Sequence, residues 1–329
     1  MLLNSSKKSS RQKLLFTALV GLLSATAPLA PAFAGAINQP ISVSQIPTVY
    51  SFKVGAAKIS ALSDGTAALD LHKLLKGASE KKIDDLLDGD FLANPVHTSI
   101  NAYLVQIGDR KLLIDTGTGD LFGPETAGKL PGALAAINVA PAQISDVLIT
   151  HVHTDHIGGL VRGGKIMFPN ATVHLGQPDL DFFLRDSGSG ADASLKKEAS
   201  EMLGPYDKAG KVKGFTGTAE IAPGLTGTVH PGHTPGSAFY TLDSEGQKII
   251  FVGDIVHSAV QFQNPEITII FDTDQKVAEK TREAAFKSIA SERQLIAAPH
   301  LPFPGVGYIK RAGKAYEWVQ LNYADWPSK

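Results

Sequence analysis

Thr150-His151-Val152-His153-Thr154-Asp155-His156-Ile157-Gly158-Gly159 packs four metal-ligating side chains into the six residues from His151 to His156. It follows directly on an apolar run that reads as a buried strand over 147–150. In extended chain, residues two apart project to the same side, so His151 and His153 can share one metal. Asp155 and His156 come as the chain turns at Gly158-Gly159, and so face a second position. Imidazole and carboxylate donors suit zinc and other borderline or hard divalent ions. At this composition, His-x-His-x-Asp-His arises by chance in roughly one chain in a few thousand.

Three further segments repeat the layout of a polar ligand just beyond a strand. His233 sits in Pro231-Gly232-His233-Thr234-Pro235-Gly236, Asp254 follows Phe251-Val252-Gly253, and His300 follows Ala297-Ala298-Pro299. A pair of metals about 3.5–4 Å apart needs a bridging carboxylate among its ligands. Here His151, His153 and His233 would hold one ion, Asp155, His156 and His300 the other, and Asp254 would bridge. The chain contains no cysteine, so any metal site must be built from histidines and carboxylates. Cysteine nucleophiles, disulfides and iron–sulfur clusters are excluded at the same time.

The formal net charge of −1 over 329 residues averages two unlike parts. The first 34 residues hold Lys7, Lys8, Arg11 and Lys13 and no acid, then an apolar run, then Ala32-Phe33-Ala34. That order predicts a secretory signal peptide over 1–34 cut before Gly35; Pro28, Pro31 and the small-residue site argue against a stable membrane anchor. Removing it leaves 27 Lys+Arg against 32 Asp+Glu, a net of −5 for residues 35–329. An exported, periplasmic or secreted enzyme is expected, and a nucleic-acid partner is not.

Residues 35–329 show no linker and no repeat, which predicts a single domain. Hairpin signals appear at Ser63-Asp64-Gly65-Thr66 and Gly108-Asp109. Further strands are expected over 172–175, 238–242, 248–252, 268–272 and 294–298, and helices over 126–138, 178–185, 193–204 and 274–291. Early hairpins followed by strand–helix alternation predict an α/β layered sandwich.

The Thr-His-x-His-x-Asp-His-x-Gly-Gly run, Gly-His-Thr-Pro-Gly, Gly253-Asp254 and His300 resemble the metallo-β-lactamase superfamily. The resemblance implies an αβ/βα four-layer sandwich with these positions as ligands of two divalent ions, zinc first, with manganese, cobalt or iron as alternatives. Ala61-Leu62-Ser63-Asp64-Gly65-Thr66, Leu121-Phe122-Gly123-Pro124, Tyr206-Asp207-Lys208-Ala209-Gly210-Lys211, Ala259-Val260-Gln261-Phe262 and Phe303-Pro304-Gly305-Val306-Gly307 resemble the methyl parathion hydrolase group. That group implies an exported dinuclear hydrolase, homodimeric in the family, which cleaves organophosphate triesters and in several members lactones or esters.

Two divalent ions make hydroxide available near neutral pH, so no side-chain nucleophile is required, and no Gly-x-Ser-x-Gly elbow is present. Asp155 is the candidate proton acceptor, and Asp115, in Leu113-Ile114-Asp115-Thr116-Gly117, is expected to orient a ligand histidine. His257 lies three residues after Asp254, where acyl-homoserine lactonases of the superfamily place a tyrosine and the parathion-hydrolase pattern has an aliphatic residue. A histidine there can donate to a carbonyl or phosphoryl oxygen. Phe122 matches one pocket aromatic of that group. Phe183, beside Phe182, stands where the group carries a tryptophan, Leu195 falls where another phenylalanine is replaced, and Phe271 supplies bulk from 268–272. The pocket stays apolar enough for a small neutral phosphotriester, ester or lactone, but its aromatic cage is thinner, which counts against parathion itself. His72, His97, His174 and His230 are assigned to structure or surface.

Competing readings are weaker. Gly117-Thr118-Gly119 lacks the third glycine of a dinucleotide fingerprint, and Leu130 replaces the Ser/Thr of a phosphate loop. Within the superfamily, β-lactamases lack the bridging aspartate, glyoxalase-type thioesterases add a basic helical domain, and persulfide dioxygenases use a single iron.

Overall fold

The computed structural model describes residues 45–123, 126–186 and 190–325. The export signal at 1–34 lies outside them, as do Pro124 and the centre of the loop at 186–192. Two seven-stranded sheets make the frame. The first runs in chain order: β1 (Val49–Val54), β2 (Ala57–Leu69), β3 (Val96–Ile107), β4 (Arg110–Ile114), β5 (Asp146–Leu148), β6 (Thr172–Gly176) and β7 (Val212–Phe215). Pairing is antiparallel up to β4 and parallel from there to β7. The second sheet holds β8 (Thr218–Ala222), β9 (Leu225–Val229), β10 (Ala238–Ser244), β11 (Gln247–Phe251), β12 (Leu295–Ala297), β13 (Val306–Ala312) and β14 (Ala315–Gln320). Only β11 and β12 are parallel in it.

Both faces of each sheet are buried, and the two-residue period of a strand sorts the side chains. Tyr103 and Val105 face a core shared with Tyr240, Leu242, Ile249 and Phe251 of the other sheet, while Ala102 and Leu104 face outward. Outward residues of the first sheet pack on the helices Leu130–Ala136, Ala193–Met202 and Gly204–Lys208. Outward residues of the second, Ile250 and Val252, pack on Phe286 and Ile289 of the helix Gln275–Glu292. The result is an αβ/βα four-layer sandwich. No helix among the described residues is long and apolar enough to cross a membrane.

Three sequence expectations are corrected. Ser63-Asp64-Gly65-Thr66 is no hairpin turn: β2 continues through it with a bulge between Ser63 and Gly65. The Asp64 carboxylate is fully buried and accepts from Thr118 N, Thr118 Oγ1, Gly128 N and Leu130 N at 2.8–3.1 Å. Gly65 has φ +142°, open to glycine, so the Asp-Gly pair serves a bulge and a carboxylate anchor instead of a chain reversal. The helix expected over 126–138 begins only at Leu130, because the preceding residues wrap that anchor. The strand expected over 268–272 pairs only at Thr268–Ile269, against Leu75–Lys76; the chain then turns, with Asp272 N donating to Ile269 O.

Candidate metal centre

The dense motif leaves the C-terminal end of β5 and closes as a helical turn, Thr154–Ile157, that carries Asp155 and His156. Its two glycines allow that turn to lie against the next loop. A Cβ on Gly158 would come within 2.3 Å of Thr118 O, and one on Gly159 within 2.0 Å of Thr116 O. Asp254 follows β11, His300 follows β12, and His233 lies on the connection from β9 to β10. Each ligand-bearing loop therefore starts from a buried strand end, which fixes its backbone.

These loops converge. The ligand atoms of His151, His153, His233 and Asp254 lie within 4.8 Å of one another, and so do those of Asp155, His156 and His300. Asp254 touches both groups: Oδ2 is 3.5 Å from His151 Nε2 and 3.4 Å from His233 Nε2, while Oδ1 is 3.3 Å from His156 Nε2. His300 Nε2 lies 3.1 Å from Asp254 Oδ2 and 3.4 Å from Asp155 Oδ2.

Outer partners decide which imidazole nitrogen faces inward. His156 Nδ1 donates to Asp115 Oδ2 at 2.8 Å, His233 Nδ1 to Asp272 Oδ1 at 2.8 Å, and His300 Nδ1 to the Ser99 carbonyl at 2.9 Å. In the neutral tautomer, each inward Nε2 then presents a lone pair to carboxylate oxygens or to another ring nitrogen. His233 Nε2 faces His153 Nδ1 at 3.0 Å. His151 Nε2, His156 Nε2 and Asp254 Oδ1 are buried with no hydrogen-bond partner among the described residues. Acceptors crowded on acceptors, buried and unpartnered, fit divalent cations in both groups.

Charge is divided unevenly across the cluster. Burial holds His151 and His153 well below the ordinary imidazole value, and neighbouring histidines add to the effect, so both are neutral, the ligating form. For His156, burial pulls downward but the carboxylates of Asp254, Asp155 and Asp115 outweigh it and raise the value well above normal. Asp254 is the converse: burial pushes upward, yet His300, His156, His151 and His257 hold it well below the carboxylate range.

Asp115 itself sits at φ +57° and is clamped by Thr150 N and Thr150 Oγ1, both at 2.8 Å. Two supporting acids have no motif around them in the sequence. Asp272 orients His233 and accepts from Ile269 N, with Arg282 Nη2 at 3.6 Å. Asp179 joins the two ligand loops, accepting from Val152 N, Thr234 Oγ1 and Gly236 N. Burial outweighs those bonds and pushes its carboxyl up to about 6. Their only sequence signal is an acid just beyond a strand or its connection, too common to single them out.

A cavity of about 370 Å³ opens over the cluster. Its wall includes Phe122, Phe182, Phe183, Leu195, Phe271 and His257, beside Asp155 and His300. Phe183 is buried and meets His153 edge-on at 6.1 Å, whereas Phe122 and Phe271 sit at the rim, each a little over 40% exposed. His257 is 3% exposed, with Nε2 3.1 Å from Asp254 Oδ2 and its ring stacked on His300. The other histidines lie outside the cluster: His174 bonds Asp146, His230 stacks on Phe239, His72 pairs with Asp84, and His97 is exposed. Gly117 and Gly119 do not cradle a phosphate; Thr118 N between them is taken by Asp64.

Comparison with known proteins places this geometry. The structure is similar to that of a hydrolase, AbOPH, in the beta lactamase superfamily, at 34% identity and TM-score 0.81 over 86% of this chain and all of that one. It is also similar to AidC, a dizinc quorum-quenching lactonase in complex with a product, at 26% identity and TM-score 0.77 with the same coverage. Among curated sequences, a ribonuclease of Thermus thermophilus is 28% identical over 47% of this chain and 35% of its own length. An uncharacterised protein of Bacillus subtilis, YobT, is 29% identical over 47% of this chain and 62% of its own. The chain thus spans between about a third and three fifths of these curated relatives. The family model for the metallo-β-lactamase superfamily matches residues 96–300, the segment that carries every one of the seven clustered His and Asp residues, and the chain belongs to that superfamily.

Proposed function

We propose that the protein is an exported dinuclear metal-dependent hydrolase of small, neutral, apolar phosphotriesters and carboxylic esters, lactones included. The observation that carries this reading is the phenylalanine-lined cavity of about 370 Å³ set directly over the His/Asp cluster. Such a wall favours an uncharged aryl or acyl group, and among the described residues that line it there is no Lys or Arg to pair with a phosphodiester. His151, His153 and His233 would hold one ion, Asp155, His156 and His300 the other, with Asp254 between them. Two divalent ions, zinc in the first instance, would supply hydroxide near neutral pH and polarise the oxygen of the bond under attack.

The chain's own residues do the rest. Asp155, partly exposed at the cavity floor, accepts the proton released as the new bond forms. His257 Nε2 lies 3.1 Å from Asp254 Oδ2, while its Nδ1 is buried with no hydrogen-bond partner among the described residues and so could donate to a carbonyl or phosphoryl oxygen. Phe122, Phe182, Phe183, Leu195 and Phe271 exclude water and hold the apolar part of the substrate. The lactone reading draws support from His257 and from the product complex of AidC; the phosphotriester reading draws on the sequence motifs along the chain.

The test is a panel on the protein with known metal content: paraoxon, aryl esters, lactones of varied acyl length, and a short RNA. Chelator-sensitive turnover of the neutral substrates is expected, with no RNA cleavage. RNA cleavage without turnover of any neutral ester would overturn the reading. His257→Leu should lower kcat/KM for lactones about tenfold or more and for paraoxon by less; equal losses would remove His257 as a carbonyl donor. Mass spectrometry of the exported protein should find Gly35 at its N-terminus.

A further inference from the structure

One buried histidine of the cluster stands outside the seven. Ligand atoms of Asp254, His257 and His300 lie within 4.8 Å of one another, a third such group among the described residues. The backbone that carries His257 is fixed on both sides. His257 N donates to Gln261 Oε1 at 2.8 Å, Gln261 Nε2 donates to Ile267 O at 3.0 Å, and Arg282 Nε donates to Ile255 O at 2.7 Å. The His257 ring lies nearly parallel to that of His300, with centroids 5.3 Å apart and 16° between the planes. Both rings bring Nε2 to the same oxygen, Asp254 Oδ2, each at 3.1 Å. Two donors that share one ion, each about 2.0–2.2 Å from it, are themselves about 3–3.5 Å apart.

A hydrogen bond from His257 to Asp254 is the competing account. It needs the ring proton on Nε2, which would leave Nδ1 as a buried lone pair with no donor. Yet Nε2 is one of the buried nitrogens without a hydrogen-bond partner among the described residues, as His151 Nε2 and His156 Nε2 are. Asp254 Oδ2 is moreover already faced by His151, His233 and His300 nitrogens at 3.1–3.5 Å. His257 thus shows the same signature as the ligand histidines beside it.

We propose that His257 Nε2 is a further ligand of the ion that Asp155, His156 and His300 would hold. This rests on the dinuclear reading above and adds one donor to it. Counting Asp254, the protein donors on that ion become five, the upper end of what zinc accepts. Ligation through Nε2 places the ring proton on Nδ1, the nitrogen left for an oxygen acceptor.

The direct test is a crystal structure of the zinc-loaded native protein, with the ions located by anomalous scattering. His257 Nε2 should lie about 2.0–2.2 Å from one ion. A nitrogen more than about 3 Å from both ions, or one hydrogen-bonded to Asp254, would overturn the proposal. In solution, competition with a chromogenic chelator reads the two zinc affinities without substrate. His257→Leu should weaken one of them about tenfold or more and leave the other within about threefold. Two affinities within about twofold of the native values would also overturn it. If the native protein binds no zinc at all, the dinuclear reading falls with the proposal; two bound ions with His257 turned away leave that reading intact and remove only this ligand.

Discussion

Carboxylates just outside the His/Asp cluster hold much of this site in place. Asp115 and Asp272 each fix the inward nitrogen of a ligand histidine, at 2.8 Å in both cases. Replacing either by Asn keeps the shape but weakens the acceptor, so metal affinity should fall about 10–100-fold, read by competition with a chromogenic chelator. Unchanged affinity in both variants would deny them that role. The two differ in how visible they are beforehand. Asp115 ends a strand within a recognisable run, Leu113-Ile114-Asp115-Thr116-Gly117. Asp272 stands 39 residues from the histidine it orients, and no local pattern links them. The gathering of His151, His153, Asp155 and His156 at one place was legible because their spacing after a strand already puts them side by side.

At the scale of elements, strands and their polar ends were readable from apolar runs, whereas turn signals misled where a side chain had a distant partner. Asp64-Gly65 has the composition of a hairpin, yet the Asp64 carboxylate ties together the loops at Thr118 and at Gly128–Leu130. Asp64→Ala would strand three buried backbone N–H groups and should cost about 3 kcal/mol or more in urea unfolding. A loss below about 1 kcal/mol would show that water replaces the anchor. Farther along the same sheet, Asp146 joins three neighbouring strands through Arg110 at 2.7 Å and His174 at 3.0 Å. Burial alone would raise its pKa, but the bonds from His174, Arg110 and Ser145 outweigh it and hold the carboxyl well below the usual range. Folding therefore favours the ionised form. The stabilisation is full above the ordinary value of 3.8 and disappears as pH falls through the depressed folded-state value. The stability gap between the native protein and Asp146→Asn should be constant from pH 7 to 5 and close below pH 4. A gap that widens in acid would reverse the assignment.

For the whole molecule, the two sheets act as a clamp that brings four loops to one point. His151 and His300 are 149 positions apart in the chain yet belong to one cluster spanned by Asp254. The α/β sandwich and the clustering of these His and Asp residues were legible because each lies beyond a strand on a loop of the sandwich. The cavity of about 1040 Å³ lined by both the helix Glu80–Gly89 and the C-terminal hairpin was not legible, because neither element carries a motif that announces it.

On the proposed function, two divalent ions on this cluster make the protein a hydrolase. Metal content measured by mass spectrometry alongside turnover of paraoxon and an aryl ester tests it most directly. Two equivalents per chain should accompany activity, vanish together on chelation and return together on adding zinc, and His151→Ala or Asp254→Ala should lose both. A single iron with oxygen uptake, or full turnover by metal-free protein or by either variant, would contradict it.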